Sequence, residues 1–444
     1  MKTQSQIATR WQLALLCLAL MALSAAMNAQ IATAQFVPYN NFIQGVTTAS
    51  SEAYVGQPGN QVADAVSFEQ MRQHILTMYN GVQVSHSFVV DSQHFDCIPI
   101  NQQPSVRLLG INSIADSPPS SLLAQPVSDP SSVVESSQIG ADQQLDQFGN
   151  SMQCEDGAIP MSRITLDTMS QFANLQAFFS KGPGGAGQLP SEDTTAPAPA
   201  APAHKYAYFL QNVENRGGNS GLNLWRPPVN RSLGEVFSLS QQWYASLSSP
   251  TQTAEVGWQN FPAMYHTQNS ALFIYWTADG YRRTGCYNLT CPAFVQINRN
   301  WHFGSGFTHY STPGGTQYEF TAEYYLYQGN WWLALGGAWV GYYPGTIYRG
   351  GQMTRNAQVI EYGGETVGRT VWPPMGSGRW ASAGWRYAAN QRNVFYIDTN
   401  SVTWWANLTA MQPSPCYSTS GPFFLAQQGW GIYFFFGGPG GRGC

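Results

Sequence analysis

The stretch Tyr318-Glu-Phe-Thr-Ala-Glu-Tyr-Tyr-Leu-Tyr-Gln-Gly-Asn-Trp-Trp-Leu-Ala-Leu-Gly-Gly-Ala-Trp-Val-Gly-Tyr-Tyr343 decides the fold class of this chain. Its aromatic runs Tyr318–Tyr327 and Trp331–Tyr343 favour strands, and Gln328-Gly329-Asn330 between them is a β-hairpin signal. Similar runs, cut by Gly and Pro turns, recur at Leu272–Thr277, Thr370–Trp372, Asn393–Asp398 and Gly431–Phe436. We find no helix-length periodicity and no fixed repeat after residue 206. The sequence therefore predicts an all-β domain there, a β-sandwich of two packed antiparallel sheets.

The composition divides the chain into two unlike halves. Only 10% of its 444 residues are charged, against about 25% in a typical globular protein. Residues 1–205 carry 7 basic and 15 acidic groups, whereas residues 206–444 carry 13 Arg and 9 acidic groups. This composition excludes a coiled coil, an acidic disordered protein and a polybasic nucleic-acid-binding protein. The opposite net charges favour attraction between the two halves.

The first 34 residues have the features of a secretory signal peptide. Lys2 and Arg10 precede the apolar run Leu13–Met27, and Ala32-Thr33-Ala34 offers a cleavage site before Gln35. The apolar run is short for a membrane anchor, and no later stretch approaches about 20 uninterrupted apolar residues. We expect a secreted protein without a membrane span, in the extracellular space, a cell wall or an acidic vacuolar compartment.

Six cysteines remain after removal of the signal peptide, and an even number in an exported chain predicts disulfides. Several connectivities are possible, and proximity in the chain favours Cys97–Cys154, Cys286–Cys291 and Cys416–Cys444. Three sequons predict a glycoprotein modified at Asn230, Asn288 and Asn407.

The sequence before the β-rich half predicts a smaller α+β segment followed by a linker. Ser67–Tyr79 predicts a helix, Ser87–Cys97 an alternating strand, and Leu166–Ser180 an amphipathic helix. Residues 113–150 form a polar excursion, and Lys181–His204 is dense in Gly, Pro and Ala, as exposed linkers are. We therefore expect a signal peptide (1–34), an α+β segment (35–180), a cleavable linker (181–205) and a β-sandwich domain (206–444).

The common nucleophile and metal patterns are not present in the sequence. If all six cysteines are paired, no thiol remains for a Cys–His site. Gly304-Ser305-Gly306 and Gly376-Ser377-Gly378 lack the strand–turn–helix context of a hydrolase serine. His302 and His309 have no acidic residue nearby that would complete a metal site. We expect no metal and no cofactor.

Two of the few carboxylates in the C-terminal half lie in unusual contexts. In Thr253–Gln259, strand alternation would put Glu255, Gly257 and Gln259 on one face. Glu365 follows Gly363-Gly364, a glycine pair that allows a bulge or close backbone approach. A lone acid in either place is most often an exposed surface group, so these contexts alone assign no function.

A series of short fragments along the exported chain matches one known family in its order. In the N-terminal half they are His86–Cys97 and Cys154–Arg163. In the C-terminal half they are Phe237–Trp243, Glu255–Gln259, Tyr275–Tyr281, Thr284–Pro292, Gly329–Leu333, Val340–Pro344 and Gly363–Glu365. With these fragments the chain resembles the neprosin family of secreted glutamic peptidases, the N-terminal fragments being similar to that family's activation peptide.

The resemblance implies a zymogen of a prolyl endopeptidase, which cleaves on the carboxyl side of proline at acidic pH. It implies that Glu255 and Glu365 are the catalytic pair. Two carboxylates that face one site tend to share a proton, so one can activate water while the other protonates the departing amine. The sequence leaves open which glutamate has which role.

The resemblance also implies that the segment 35–180 is a prosegment, which we expect to act as an intramolecular inhibitor. Opposite net charges would hold it at neutral pH, and acid would weaken that attraction. Cleavage in the linker, where Pro197, Pro199 and Pro202 are possible sites for a post-proline enzyme, would then release the enzyme.

Further residues could assist this chemistry on proline-containing peptides or proteins. Gln259 could donate a hydrogen bond to the developing oxyanion, and Trp258, Tyr275 or Trp276 could line a slot for proline. We expect a monomer. The alternatives are a glycoside hydrolase, which also uses paired carboxylates, and a carbohydrate-binding β-sandwich.

Overall fold

The computed structural model describes residues 35–123, 134–136, 145–181, 202–412, 414–427 and 429–444. The predicted signal peptide, most of the predicted linker and parts of the polar stretch 113–150 lie outside the described residues. Residues from Pro38 to Cys444 form one compact unit. Among the described helices, none has the length and apolar character needed to cross a membrane.

Most of the described chain is β-structure. The strands are β1 Ser87–Val90, β2 Gln93–Pro99, β3 Val134–Ser136, β4 Ala158–Ser162, β5 Ala203–Asn223, β6 Glu235–Ala245, β7 Thr253–Asn260, β8 Ala271–Thr277, β9 Cys286–Tyr287, β10 Val295–Gln296, β11 Gln317–Tyr327, β12 Asn330–Leu335, β13 Ala338–Pro344, β14 Ala357–Gly368, β15 Val371–Trp372, β16 Ala389–Asp398, β17 Thr403–Trp405, β18 Thr409–Met411, β19 Ser418–Leu425, β20 Gly431–Gly437 and β21 Gly441–Arg442. The α-helices are α1 Tyr39–Thr48, α2 Ala65–Tyr79, α3 Pro104–Leu108, α4 Leu166–Met169, α5 Leu175–Phe179 and α6 Pro262–Tyr265.

The long strand β5 connects the two layers of the large sheet. Its first part pairs with β14, and the sheet continues from β14 to β6, β7 and β8. Its last part pairs with β11 and β16. Gly217 lies where the pairing changes, and a Cβ there would come within 1.9 Å of the Tyr324 carbonyl oxygen. The curled sheet packs on itself, with the rings of Phe209 and Phe434 4.3 Å apart in the interior. The predicted β-sandwich is confirmed.

The hairpin predicted at Gln328-Gly329 is confirmed. Both residues have positive φ, 48° and 78°, and Tyr327 pairs directly with Asn330, as in a two-residue turn of type I′. The following run is two strands rather than one. Gly336-Gly337, also at positive φ, turns the chain between β12 and β13.

Two predictions for the N-terminal segment were wrong in detail. The strand predicted over Ser87–Cys97 is a hairpin, because Asp91-Ser92 adopts positive φ and reverses the chain between β1 and β2. The helix predicted over Leu166–Ser180 is two short helices. Asn174 begins the second of them by accepting a hydrogen bond from the Ala177 N–H at 2.9 Å.

The N-terminal segment packs on the sandwich rather than standing apart. Helix α2 begins at Asp64, whose side chain caps the Ser67 N–H at 2.7 Å, and buries Phe68 and Ile75. Phe172 meets Phe261 of the sandwich edge-on at 5.9 Å between ring centroids. All three predicted disulfides are confirmed: Cys97–Cys154, Cys286–Cys291 and Cys416–Cys444.

A buried ion pair supports the three-stranded sheet β1-β2-β4. Arg163 contacts both carboxylate oxygens of Asp96, and the Ser87 hydroxyl donates to the same carboxylate at 2.6 Å. The two ionic side chains are 1% and 0% exposed.

Replacing Arg163 by Met should leave the Asp96 carboxylate buried without its cation. Loss of one partner of a buried pair costs about 3–5 kcal/mol, so we expect denaturant unfolding of the zymogen to show a loss of this size. Arg72→Met is the control, because its pair with Glu69 lies at the surface and should change unfolding little. Equal effects of the two substitutions would contradict the assignment of Arg163 as a structural ion-pair partner.

Candidate active site

Glu255 and Glu365 lie on the same face of the large sheet. Glu255 on β7 pairs with Trp243 on β6, and Glu365 on β14 pairs with Leu239 on the other side of β6. Both glutamates are buried, with exposures of 0% and 1%. They are therefore not the exposed surface groups that a lone acid at each position would most often be.

A single lysine, which directly follows the N-terminal segment and begins the predicted linker, bridges the two carboxylates. Lys181 Nζ lies 2.5 Å from Glu255 Oε2 and 3.0 Å from Glu365 Oε2, which limits the separation of the two carboxylate oxygens to 5.5 Å. The ammonium also lies 5.1 Å from the centroid of the Trp243 ring, within the range of a cation–π contact. Burial alone would lower the pKa of Lys181, but the two carboxylates raise it above its ordinary value. The lysine therefore keeps its charge inside the cleft.

The segment that carries Lys181 is fixed directly before this residue. Helix α5 buries Phe178, which is 1% exposed. The Tyr275 hydroxyl, which points from β8 toward the same cleft, donates to the Phe179 carbonyl at 3.1 Å. These two contacts direct the next side chains into the cleft.

Neutral donors surround the Glu255 carboxylate. The hydroxyls of Tyr281 and Thr253 each donate to Oε1 at 2.8 Å, and Gln241 Nε2 donates to Oε2 at 3.1 Å. Gln241 itself lies between Gly363 and Gly257 in the register of β14, β6 and β7. This row of small residues and one amide forms the floor between the two glutamates.

Glu365 has a different set of partners. His204 Nδ1 lies 2.5 Å from Oε1, and Tyr206 is the direct cross-strand neighbour of Glu365 on β5. Burial raises the pKa of Glu365, but the Lys181 ammonium and the His204 contact outweigh it and lower the pKa to about 2. Burial and the neighbouring Glu365 charge raise the pKa of Tyr206 above its usual range. Glu365 is thus an ionised group in the bridged state.

A third carboxyl lies on the same face. Glu361 precedes Glu365 by four positions on β14 and pairs with Trp243 on β6. Burial and the Glu255 charge raise the pKa of Glu361 to about 7, against the opposing effect of Lys181. The cleft therefore holds an acid that titrates near neutrality beside the bridged pair.

Gln259 and Tyr275 share the face of Glu255, as strand alternation predicted for Gln259. The Gln259 amide is engaged, because Nε2 donates to the Tyr287 hydroxyl at 3.3 Å and Oε1 accepts from Tyr265 at 3.4 Å. Its suggested role as an oxyanion donor stays a prediction.

Trp258 and Trp276 do not line the cleft. Each is adjacent in its strand to a residue of the cleft face, so its side chain projects to the opposite face. The Trp258 indole N–H donates to the Asn223 carbonyl at 2.9 Å, and Trp276 packs edge-on against Tyr348. This orientation contradicts the suggestion that Trp258 or Trp276 lines a slot for proline.

The predicted glycosylation sites differ in accessibility. Asn230 and Asn407 are exposed. Asn288 is only 5% exposed, and its Oδ1 accepts a hydrogen bond from the Ile274 N–H at 3.1 Å. The folded protein therefore does not offer Asn288 for modification, contrary to the expectation from its sequon.

One cluster among the described residues brings potential metal ligands together. His86, Cys97 and Glu155 place ligand atoms within 4.8 Å of one another. Cys97 is bonded to Cys154, so this cluster has no thiolate to offer.

Sequence reasoning missed the partners of the pair: Lys181, His204, Gln241, Thr253 and Tyr281. Lys181 and His204 lie at the two ends of the Gly/Pro/Ala-rich stretch, where they read as linker residues. The only available signal was that they are the two basic residues within 181–204. No local pattern connects Lys181 with an acid 74 positions away.

The family comparison covers the part of the chain that carries both glutamates. Residues 234–439, which include both glutamates, match the family model described as Neprosin. The domain that these residues form belongs to the neprosin family. This membership supports a peptidase-type function in general.

Proposed function

We propose that this protein is the secreted zymogen of a glutamic endopeptidase that cleaves on the carboxyl side of proline at acidic pH. The observation that carries the proposal is the meeting of Glu255 and Glu365 at one ammonium, in a domain of the neprosin family. Two carboxylates this close cannot both remain charged at little cost once Lys181 has left. They would then hold one proton between them.

The chemistry of the proposed pair requires that one glutamate is ionised and the other is protonated. The ionised carboxylate takes a proton from a water molecule as the water oxygen attacks the scissile carbonyl carbon. The protonated carboxyl then gives its proton to the departing amine as the peptide bond breaks. One glutamate has then gained a proton from water and the other has lost its proton to the amine, so transfer of one proton between the two glutamates restores the starting state.

The N-terminal segment is proposed as the inhibitor of this site. Lys181 occupies the space between the two carboxylates and pairs with both of them, so neither the shared proton nor a water can take that place. The charges at this contact are the reverse of the net charges of the two halves. Lys181 is a cation in the acidic half, and the glutamates that it contacts are anions in the basic half. The net charges therefore do not describe how the prosegment holds the cleft.

The pH dependence of this contact follows from the lowered pKa of Glu365. Because that pKa falls from 4.5 to about 2, the stabilisation is fully present above pH about 4.5 and is lost as the pH falls through about 2. Mild acid leaves this contact in place. Cleavage in the linker is then the step that frees Lys181, with Pro197, Pro199 and Pro202 as candidate sites.

Three aromatic side chains on the cleft face are proposed to receive proline. The rings of Tyr206 and Tyr208 lie 5.9 Å apart, and Tyr208 lies 6.3 Å from Trp243. Trp243 is now covered by the Lys181 ammonium. Departure of the prosegment would expose an apolar wall next to the pair, as proline recognition requires.

Cleavage assays on the processed enzyme test this function. We expect a peptide with one internal proline to be cut after that proline at acidic pH, and the same peptide with alanine in its place to be cut at least about tenfold more slowly. Mass spectrometry of the products gives the position of the cut. Cleavage of a polysaccharide panel without peptide cleavage would favour a glycoside hydrolase and contradict the proposal.

A further inference from the structure

We propose that His204 is a further functional residue of the cleft, whose imidazolium holds Glu365 as the carboxylate after Lys181 has left. Glu365 is then the base that activates water, and Glu255 is the acid that protonates the amine. This inference rests on the proposed function and assigns the two roles within it. His204 is a positioning residue, since it acts through Glu365.

The His204 ring is fixed against Glu365 from two sides. It stacks on Tyr206 at 6.2 Å with an angle of 17° between the planes, and it meets Phe237 edge-on at 6.2 Å. Its Nδ1 lies 2.5 Å from Glu365 Oε1. The side chain is 20% exposed, so solvent protons can reach it. A charge-assisted hydrogen bond of this kind is about twice as strong as a neutral one.

His204 and Lys181 lie on opposite sides of the proposed cleavage region. A cut anywhere in residues 182–202 releases Lys181 with the prosegment, whereas His204 stays at the start of β5. Two basic side chains of the described residues contact Glu365, and of these two the histidine remains in the processed enzyme. The Nδ1 contact with Glu365 is an ion pair only when the ring is protonated, and we assign that imidazolium form to His204 in the processed enzyme.

The partners of the two glutamates differ in whether they can accept a hydrogen bond. An imidazolium donates only, so it favours an ionised Glu365. The two hydroxyls on Glu255 Oε1, from Tyr281 and Thr253, can each turn and accept a hydrogen bond from a protonated carboxyl. When one proton is available, the pair therefore holds it on Glu255.

Within the described ranges, titratable groups near the His204 ring lie on the strands that carry the two glutamates and on the neighbouring β5. Glu365 on β14 and Tyr206 on β5 face the imidazole directly, and β6 presents the uncharged Phe237 ring. Glu361 and Glu255 lie further along the same face, and Tyr281 donates to Glu255. With His204 protonated and Glu255 neutral, the cation and the Glu365 carboxylate balance each other in the buried cleft.

The pH profile of kcat/KM tests the role of His204. Wild type, His204→Gln and His204→Lys are processed in trans by a trace of tagged wild-type enzyme, which is then removed. We expect His204→Gln to lose at least about tenfold in kcat/KM, with the acid limb of the profile moved up by about one pH unit, because Glu365 without a cation takes up its proton earlier. His204→Lys should restore the acid limb. His309→Gln, a change at an exposed histidine stacked on Tyr318, should leave the profile unchanged.

An NMR spectrum of the His204 ring gives a readout that does not depend on activity. In the processed wild-type enzyme at acidic pH we expect the downfield Nδ1–H resonance of a charge-assisted hydrogen bond, which should move upfield in Glu365→Gln and stay in place in the control Glu235→Gln. The same Nδ1–H resonance in wild type and Glu365→Gln, or a His204→Gln profile that falls uniformly without moving its acid limb, would overturn the inference. A downfield resonance that depends on Glu365, in an enzyme that cuts no proline peptide, would instead contradict the proposed function alone.

Discussion

Replacing Glu255 or Glu365 by Gln is expected to reduce kcat of the processed enzyme by about 10³-fold or more. Each amide keeps the size of the carboxyl but can no longer gain or lose a proton, and positioned acid–base groups contribute about 10²–10⁴-fold each. Residues that act as one unit give non-additive losses. We therefore expect the double variant to be little worse than either single variant.

The same variants should fail to process themselves in acid, so they must be cut in trans before the assay. Glu235→Gln is the matched control: Glu235 is also buried on β6, where it accepts from the Asn230 N–H at 2.7 Å, away from the pair. Circular dichroism and thermal unfolding verify that each variant is folded. Turnover within tenfold of wild type in either folded single variant would rule out the carboxylate pair as the catalytic centre.

Replacing Lys181 by Met is expected to make the uncut zymogen partly active. The substitution removes the cation from between two buried carboxylates, and loss of one partner of a buried ion pair costs about 3–5 kcal/mol. A weakening of that size corresponds to an increase of about 10²-fold or more in the fraction of molecules with an open cleft. We expect peptidase activity of the intact zymogen at the acidic pH of the assay, before any cleavage, and faster self-processing than in wild type.

Lys205→Met is the control for this experiment. It removes the same charge near the same linker, but the Lys205 ammonium lies over the Trp372 ring at 5.2 Å and not at the pair. Gel analysis at each time point separates activity of the intact zymogen from activity of the cut enzyme. If Lys181→Met stayed as latent as Lys205→Met, the bridging lysine would not be what keeps the zymogen inactive.

The predictions that held depend on local chemistry. The Gln328-Gly329 turn was placed correctly, because two residues at positive φ form a tight turn whose twist matches that of the flanking strands, whereas the run after it is divided into β12 and β13. The three disulfides followed from closeness in the chain. The errors at Asp91-Ser92 and Asn174 share one cause: short polar residues accepted turn or capping conformations inside a run that otherwise had a regular period.

The site depended on information that no local pattern contains. Trp258 and Trp276 resembled cleft residues by their nearness to Glu255 and Tyr275, but alternation along each strand turned them to the other face. Lys181 and His204 resembled linker residues because their neighbours are Gly, Pro and Ala. Their contacts with Glu365 exist only because the prosegment packs against the sandwich and β5 pairs with β14.

The sequence by itself determined an all-β domain with an α+β segment before it, the three disulfides and membership of the neprosin family, since these rest on local preference and on residues close in the chain. Only the tertiary structure decided that Glu255 and Glu365 share one buried face, and that the lysine directly after the N-terminal segment lies between them. The reason is that burial and charge pairing depend on strands brought together from distant parts of the chain, and strand register, not sequence distance, sets which side chains meet.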